Sequence, residues 1–221
     1  MKLLEKMTDS GVVAVIRGSK PENIIEIGKA LKKGGVYSLE ITVETPKAMS
    51  IIEKAAEALE GEGIIVGAGT VLDPETARAA ILSGAKFVFS PTFNIETIKM
   101  TKRYGALSIP GAMTPTEILS AYEHGADVIK VFPANVLGPG YIKGIKGPLP
   151  HIPVMSTGGI SIENAGAYIK AGAIGIGAGS TLVPAAEVIT QEISEQITAN
   201  AERFVRVVSE ARGQSVAQTG V

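Results

Sequence analysis

Two hydrophobic periods alternate along almost the whole chain. Eight short, mostly apolar runs, at residues 12–16, 39–43, 64–66, 87–89, 107–109, 128–132, 154–156 and 174–176, read as strands. Between them lie stretches whose apolar residues recur every three or four positions, the helical period. The clearest is the last, with Ile189, Ile193, Ile197, Ala201, Phe204 and Val208.

Local punctuation agrees with this division. Helix starts are marked by Pro21-Glu22 after Ser19, Thr45-Pro46, Asp73-Pro74-Glu75, Thr114-Pro115 with Glu117 in capping-box position, and Ser161 before Ile162-Glu163. Helix stops are marked by Gly84-Ala85, Gly105-Ala106, Gly125-Ala126 and Gly172-Ala173, the first three at intervals of 21 and 20 residues. The unit that repeats is a helix followed by a strand.

Eight strands alternating with eight helices through short loops predict a parallel sheet closed into a single (β/α)₈ TIM barrel rather than an open doubly wound sheet. A short helix over residues 2–8 is expected to close its lower end. The barrel domain is assigned to residues 1–212, and 213–221 form a polar tail expected to fray.

Composition narrows the function. A chain of 221 residues with 45% apolar and 19% charged residues suits one domain with a sizeable core. The 21 basic and 22 acidic residues leave a net charge of −1 with no basic cluster, which argues against nucleic acid. No apolar run is long enough for a membrane span, and the first ten residues lack a signal-peptide core, so a cytoplasmic location is expected. Zero cysteines exclude thiol chemistry, and the two histidines, His124 and His151, sit in no metal-ligand or triad spacing. Neither a metal nor another cofactor is expected. His124 reads as a helix-end residue and His151 as a loop residue between prolines.

Strand alternation then picks out polar residues facing into the barrel. In Ser38-Leu39-Glu40-Ile41-Thr42-Val43 the apolar set faces the helices, so Glu40 points inward with Ser38 and Thr42. The same count turns Arg17 inward with Val13 and Val15, and Lys130 with Val128 and Phe132. A lysine in an apolar strand is pushed towards its neutral, nucleophilic form. The second and sixth strands oppose one another in an eight-stranded ring, which lets Glu40 and Lys130 meet across the mouth. A lysine snorkelling outward, or one held in a structural ion pair with Glu40, is the alternative. Glycine-rich turns at Thr157-Gly158-Gly159-Ile160 and Gly177-Ala178-Gly179-Ser180 follow the last two strands, where barrels often gather N–H groups around a phosphate; plain tight turns are the alternative. A third, Gly67-Ala68-Gly69-Thr70, ends the third strand.

In order along the chain, Val13-Ala14-Val15-Ile16-Arg17, Leu39-Glu40-Ile41-Thr42, Val66-Gly67-Ala68-Gly69-Thr70-Val71, Ser90-Pro91, Ile109-Pro110-Gly111, Ile129-Lys130-Val131-Phe132-Pro133-Ala134, Thr157-Gly158-Gly159 and Gly179-Ser180-Thr181-Leu182-Val183 resemble the 2-keto-3-deoxy-6-phosphogluconate (KDPG) aldolases, which include 4-hydroxy-2-oxoglutarate (KHG) aldolases. The resemblance covers about residues 5–210. It implies a Schiff-base (class I) aldolase with Lys130 as the Schiff-base lysine and Glu40 as general acid/base. It also implies Arg17 and Thr70 near the substrate carboxylate and carbonyl, Pro91 and Phe132 lining the pocket, Thr157, Gly158, Gly159, Gly179 and Ser180 around the phosphate, and a homotrimer. The products would be pyruvate and glyceraldehyde 3-phosphate, or pyruvate and glyoxylate from 4-hydroxy-2-oxoglutarate. One position departs from the pattern: some relatives carry a basic residue where this chain has Glu44. The residues alone also admit a sugar-phosphate isomerase or epimerase, or a catalytically silent phosphometabolite-binding barrel.

Overall fold

The structure, a computed structural model, describes residues 3–213. The rest of the polar tail, 214–221, lies outside the described residues. Strands β1 (Val12–Ile16), β2 (Ser38–Thr42), β3 (Ile65–Gly69), β4 (Phe87–Phe89), β5 (Leu107–Ile109), β6 (Gly111–Ala112), β7 (Ile129–Val131), β8 (Val154–Thr157) and β9 (Gly175–Ala178) alternate with helices. The helices are α1 (Leu3–Ser10), α2 (Ile24–Lys33), α3 (Ala48–Glu60), α4 (Pro74–Leu82), α5 (Ile95–Arg103), α6 (Pro115–Glu123), α7 (Ala134–Lys146), α8 (Ile162–Lys170) and α9 (Gln191–Ala211).

All strand pairs are parallel, in the order β5-β4-β3-β2-β1-β9-β8-β7-β6. The eight expected strands appear as nine segments because the fifth is divided at Pro110, which has no N–H to give to a ladder. Its first half, β5, bonds to β4 and its second, β6, to β7. The Pro110 carbonyl accepts from Lys130 N at 2.9 Å and the Ser108 carbonyl from Asp127 N at 2.9 Å, which brings the two ends of the sheet together as a TIM barrel.

The punctuation acts largely as read. Asp73 Oδ1 accepts from Thr76 N at 2.6 Å, and Thr114 and Glu117 form a reciprocal capping box; losing such a cap costs about 1 kcal/mol. Gly84, Gly105, Gly125 and Gly172 adopt left-handed φ of 77° to 110°, the conformation that ends the helix and turns the chain into the next strand. Two starts come later than read: residues 21–23 form a turn before α2, and Lys47, with φ 63°, precedes α3.

Two apolar cores result. One lies between the sheet and the helices and contains Leu39 and Ile41. The other fills the barrel with Val13, Ile65, Phe87, Phe89, Ile109, Val128 and Met155, closed from below by Met7 of α1. No described helix is long and apolar enough to cross a membrane.

Candidate active site

A cavity of about 400 Å³ opens at the C-terminal ends of the strands. Its walls include all eleven residues singled out from the sequence: Arg17, Glu40, Thr70, Pro91, Lys130, Phe132, Thr157, Gly158, Gly159, Gly179 and Ser180.

Strand parity explains the convergence. Glu40 pairs in register with Val15 on β1 and Gly67 on β3, and is 1% exposed. Lys130 pairs with Gly111 and Met155 and is 5% exposed. The Lys130 ammonium position lies 5.2 Å from the centroid of the Phe89 ring and 4.9 Å from that of Phe132, so the side chain points into the barrel and does not snorkel outward. Glu40 Oε2 is buried with no hydrogen-bond partner, so this oxygen is not engaged by Lys130. The expected meeting of Glu40 and Lys130 is therefore electrostatic, across shared space that a substrate can enter.

Burial dominates the titration of both groups. It pushes the Glu40 carboxyl above its usual value, against the opposing pull of Lys130 and Arg17. It pushes the Lys130 amine below its usual value, with Glu40 acting the other way. Burial thus shifts each group towards its neutral form, in which an amine is a nucleophile and a carboxylic acid a proton donor.

Two glycine runs read as turns prove to be strand. Gly67, Ala68 and Gly69 belong to β3, and Gly177 and Ala178 to β9. Glycine is a poor strand former, yet Gly67, Gly69 and Gly177 face inward, where a Cβ would collide with other inward side chains. A Cβ on Gly67 would stand 2.4 Å from the Phe87 ring, and one on Gly177 2.6 Å from Thr157 Oγ1. Their role is to make room. The signal was present in the parity of Ile65, Gly67 and Gly69.

Left-handed Gly158 and Gly159, with φ of 100° and 66°, turn the chain from β8 towards α8. The Gly158 carbonyl accepts from Asn135 N at 3.0 Å, and a Cβ there would lie 3.2 Å from the Phe132 ring. After the neighbouring strand β9, the Gly179 carbonyl accepts from Leu182 N and Val183 N at 2.9 Å, a turn that carries Ser180 and Thr181 on the cavity wall. Thr157 Oγ1 is buried and unpartnered. Ser90 Oγ donates to the Val71 carbonyl at 2.6 Å and fixes the loop bearing Pro91.

Sequence reasoning did not single out Val15, Ile160, Gly177 or Thr181 as site residues, although all line the cavity, nor Phe89, which lies against Lys130. The histidines are elsewhere: His124 Nδ1 contacts the Ser120 carbonyl at 2.7 Å at the end of α6, and His151 packs edge-on against Tyr122. Among the described residues no group of three or more acidic or histidine side chains could hold a metal ion.

Comparison with known proteins gives the chain a family. A family model described as "Aldolase: KDPG and KHG aldolase" matches residues 3–200. The 2-dehydro-3-deoxy-6-phosphogalactonate aldolase of Escherichia coli is 33% identical over 209 residues, covering 94% of this chain and 99% of that protein. A 2-dehydro-3-deoxy-phosphogluconate aldolase of Pseudomonas aeruginosa is 34% identical over 181 residues, 81% of each. A solved structure described as native KDPGal superposes with a TM-score of 0.85 at 33% identity, covering 91% of this chain and 96% of that one.

Proposed function

Since the chain belongs to the KDPG and KHG aldolase family, we propose that it is a class I aldolase whose Schiff base forms on Lys130. The observation that carries this is the Lys130 amine, buried between two aromatic rings and held towards its neutral form in the same cavity as Glu40.

Neutral Lys130 Nζ adds to the C2 ketone of a 4-hydroxy-2-keto acid. Glu40 delivers a proton to the carbinolamine hydroxyl, and water leaves as the iminium forms. The Glu40 carboxylate then takes the C4 hydroxyl proton while the C3–C4 electron pair flows into the iminium, releasing an aldehyde and leaving an enamine. Protonation at C3 and hydrolysis return pyruvate and the free amine. The iminium formed on Lys130 is the electron sink, so these steps call on no metal or other cofactor.

The substrate we infer is 2-keto-3-deoxy-6-phosphogluconate, or its C4 epimer as in the Escherichia coli relative, cleaved to pyruvate and glyceraldehyde 3-phosphate. 4-Hydroxy-2-oxoglutarate, cleaved to pyruvate and glyoxylate, is read as a second substrate. Arg17 and Thr70 would hold the carboxylate end, with Pro91 and Phe132 as walls and Thr157, Gly158, Gly159, Gly179 and Ser180 at the phosphate. The family resemblance further supports a cytoplasmic homotrimer, which sedimentation at micromolar concentration tests.

Incubation with pyruvate and borohydride tests the central claim. One reduced pyruvyl adduct should map to Lys130, and Lys130→Ala should abolish both adduct and turnover. Lys130→Arg should fail as well, because a guanidinium stays protonated. An adduct on another lysine, or none, would sink the mechanism and favour an isomerase, an epimerase or a silent binding barrel.

A further inference from the structure

We propose that Glu44 is a specificity-determining residue that occupies Arg17 as an internal carboxylate and must be displaced when an anionic keto acid binds. The proposal rests on the aldolase reading above but concerns a residue outside the carbon chemistry.

The two side chains are brought together by the backbone. Thr45 Oγ1 accepts from Gly18 N at 3.1 Å and lies 3.3 Å from Thr42 Oγ1, tying the loop after β2 to the loop after β1. Arg17 and Glu44 each precede one partner of the first bond, and Arg17 Nη1 donates to Glu44 Oε1 at 3.3 Å. Both line the cavity that holds Glu40 and Lys130. Apart from Lys130, Arg17 is the basic side chain among the described residues lining that cavity, and Glu44 pairs with it.

A 2-keto acid carries its carboxylate on the carbon next to the ketone that Lys130 attacks, so this group needs a cation near the amine. The side chains of Arg17 and Glu44 are 67% and 48% exposed, and a pair so open to water is weak enough for a substrate carboxylate to exchange into. Arg17 also borders a second cavity of about 560 Å³, between the loops after β1 and β9, which gives the displaced side chains room. Glu44 thus sets the affinity for the keto acid's carboxylate while leaving the bond-breaking groups untouched.

Glu44→Gln keeps the shape and an oxygen for Arg17 but removes the charge. The probe is pyruvate, with the half-saturating concentration for borohydride inactivation as the readout. At low ionic strength that concentration should fall about two- to fivefold, the range of an exposed pair, and the difference should fade near 1 M salt. In an Arg17→Gln background, where half-saturation is already raised, adding Glu44→Gln should have little further effect. An unchanged or higher half-saturation in Glu44→Gln overturns the proposal, as does an equal fall in the Arg17→Gln background, which would mean repulsion acting directly on pyruvate. Failure of the aldolase reading looks different, since the wild type itself would then give no adduct at Lys130.

Discussion

The Glu40 carboxylate lies against Gly69, in space that any side chain on that strand position would take: a Cβ on Gly69 would stand 2.6 Å from Oε1 and 2.7 Å from Cδ. The residue that gives Glu40 its place is therefore one with no functional group. Gly69 does not adopt a left-handed φ, so alanine is permitted by the backbone and its effect is confined to the contact. Gly69→Ala should leave the barrel folded, move the carboxylate, and reduce turnover by a factor approaching 10². Turnover within twofold of wild type would show that Glu40 acts equally well from another position.

Glu40→Gln separates position from proton transfer. It keeps the size of the side chain but removes the transferable proton, so turnover should fall by about 10² to 10⁴. Adduct formation with pyruvate should persist more slowly, because the amine remains. Near-normal cleavage would assign proton transfer to water or another group and leave Glu40 a structural neighbour of Lys130.

The barrel and the inward positions of Glu40 and Lys130 were legible because each depends on a short-range regularity: the helix-stop glycines and the alternation of Leu39, Ile41 and Val43 with their polar neighbours. Gly67, Gly69 and Gly177 were misread as turns because strand propensity counts glycine as a breaker. Whether an inward strand position needs empty space depends on what faces it from another strand. The division at Pro110 and the Arg17–Glu44 pair likewise depend on contacts between segments, which no local pattern encodes.

Burial of Lys130 predicts two pH effects of defined sign. Adduct formation with pyruvate should accelerate as pH rises through the depressed pKa of Lys130 and level off below the ordinary 10.5, as the neutral amine fills. Between those two values the unfolded chain binds more protons at this position than the folded one, so stability should climb with pH there. Glu40, raised by burial, acts oppositely between 4.5 and its own pKa, where stability should fall as pH rises. Chemical denaturation across pH should show the alkaline slope flattened in Lys130→Met. An unchanged slope would contradict the burial.

Thr70 is a β-branched residue at φ 58°, at the end of β3 and on the cavity wall. Such a conformation costs on the order of 1–3 kcal/mol, and strain of this kind persists where the surrounding structure enforces it. Thr70→Gly should relieve it, offset in part by the greater freedom of glycine in the unfolded chain, leaving thermal stability equal or higher. If the threonine is held there to face the substrate, KM should rise in the same variant. Lower stability together with unchanged kinetics would make the strained threonine a packing feature.

The glycine turns and Glu44 pull the substrate preference in different directions. Gly158 and Gly159 follow β8, and Gly179 with exposed Ser180 follows the neighbouring strand β9, all on the cavity wall. If their N–H groups converge on a dianion, charge-assisted bonds of roughly 1.5–3 kcal/mol each, before desolvation, should make the phosphorylated substrate better than 4-hydroxy-2-oxoglutarate in kcat/KM. Ser180→Asp then sets a carboxylate beside the phosphate. It should depress kcat/KM for the phosphorylated substrate far more than it slows pyruvate trapping, which needs the Lys130 amine and no phosphate. Measuring both substrates on wild type and variant decides between two readings of the same loops. Equal efficiencies in the wild type, with equal losses in the variant, would mean that the turns are structural and that the enzyme acts on 4-hydroxy-2-keto acids without regard to phosphate.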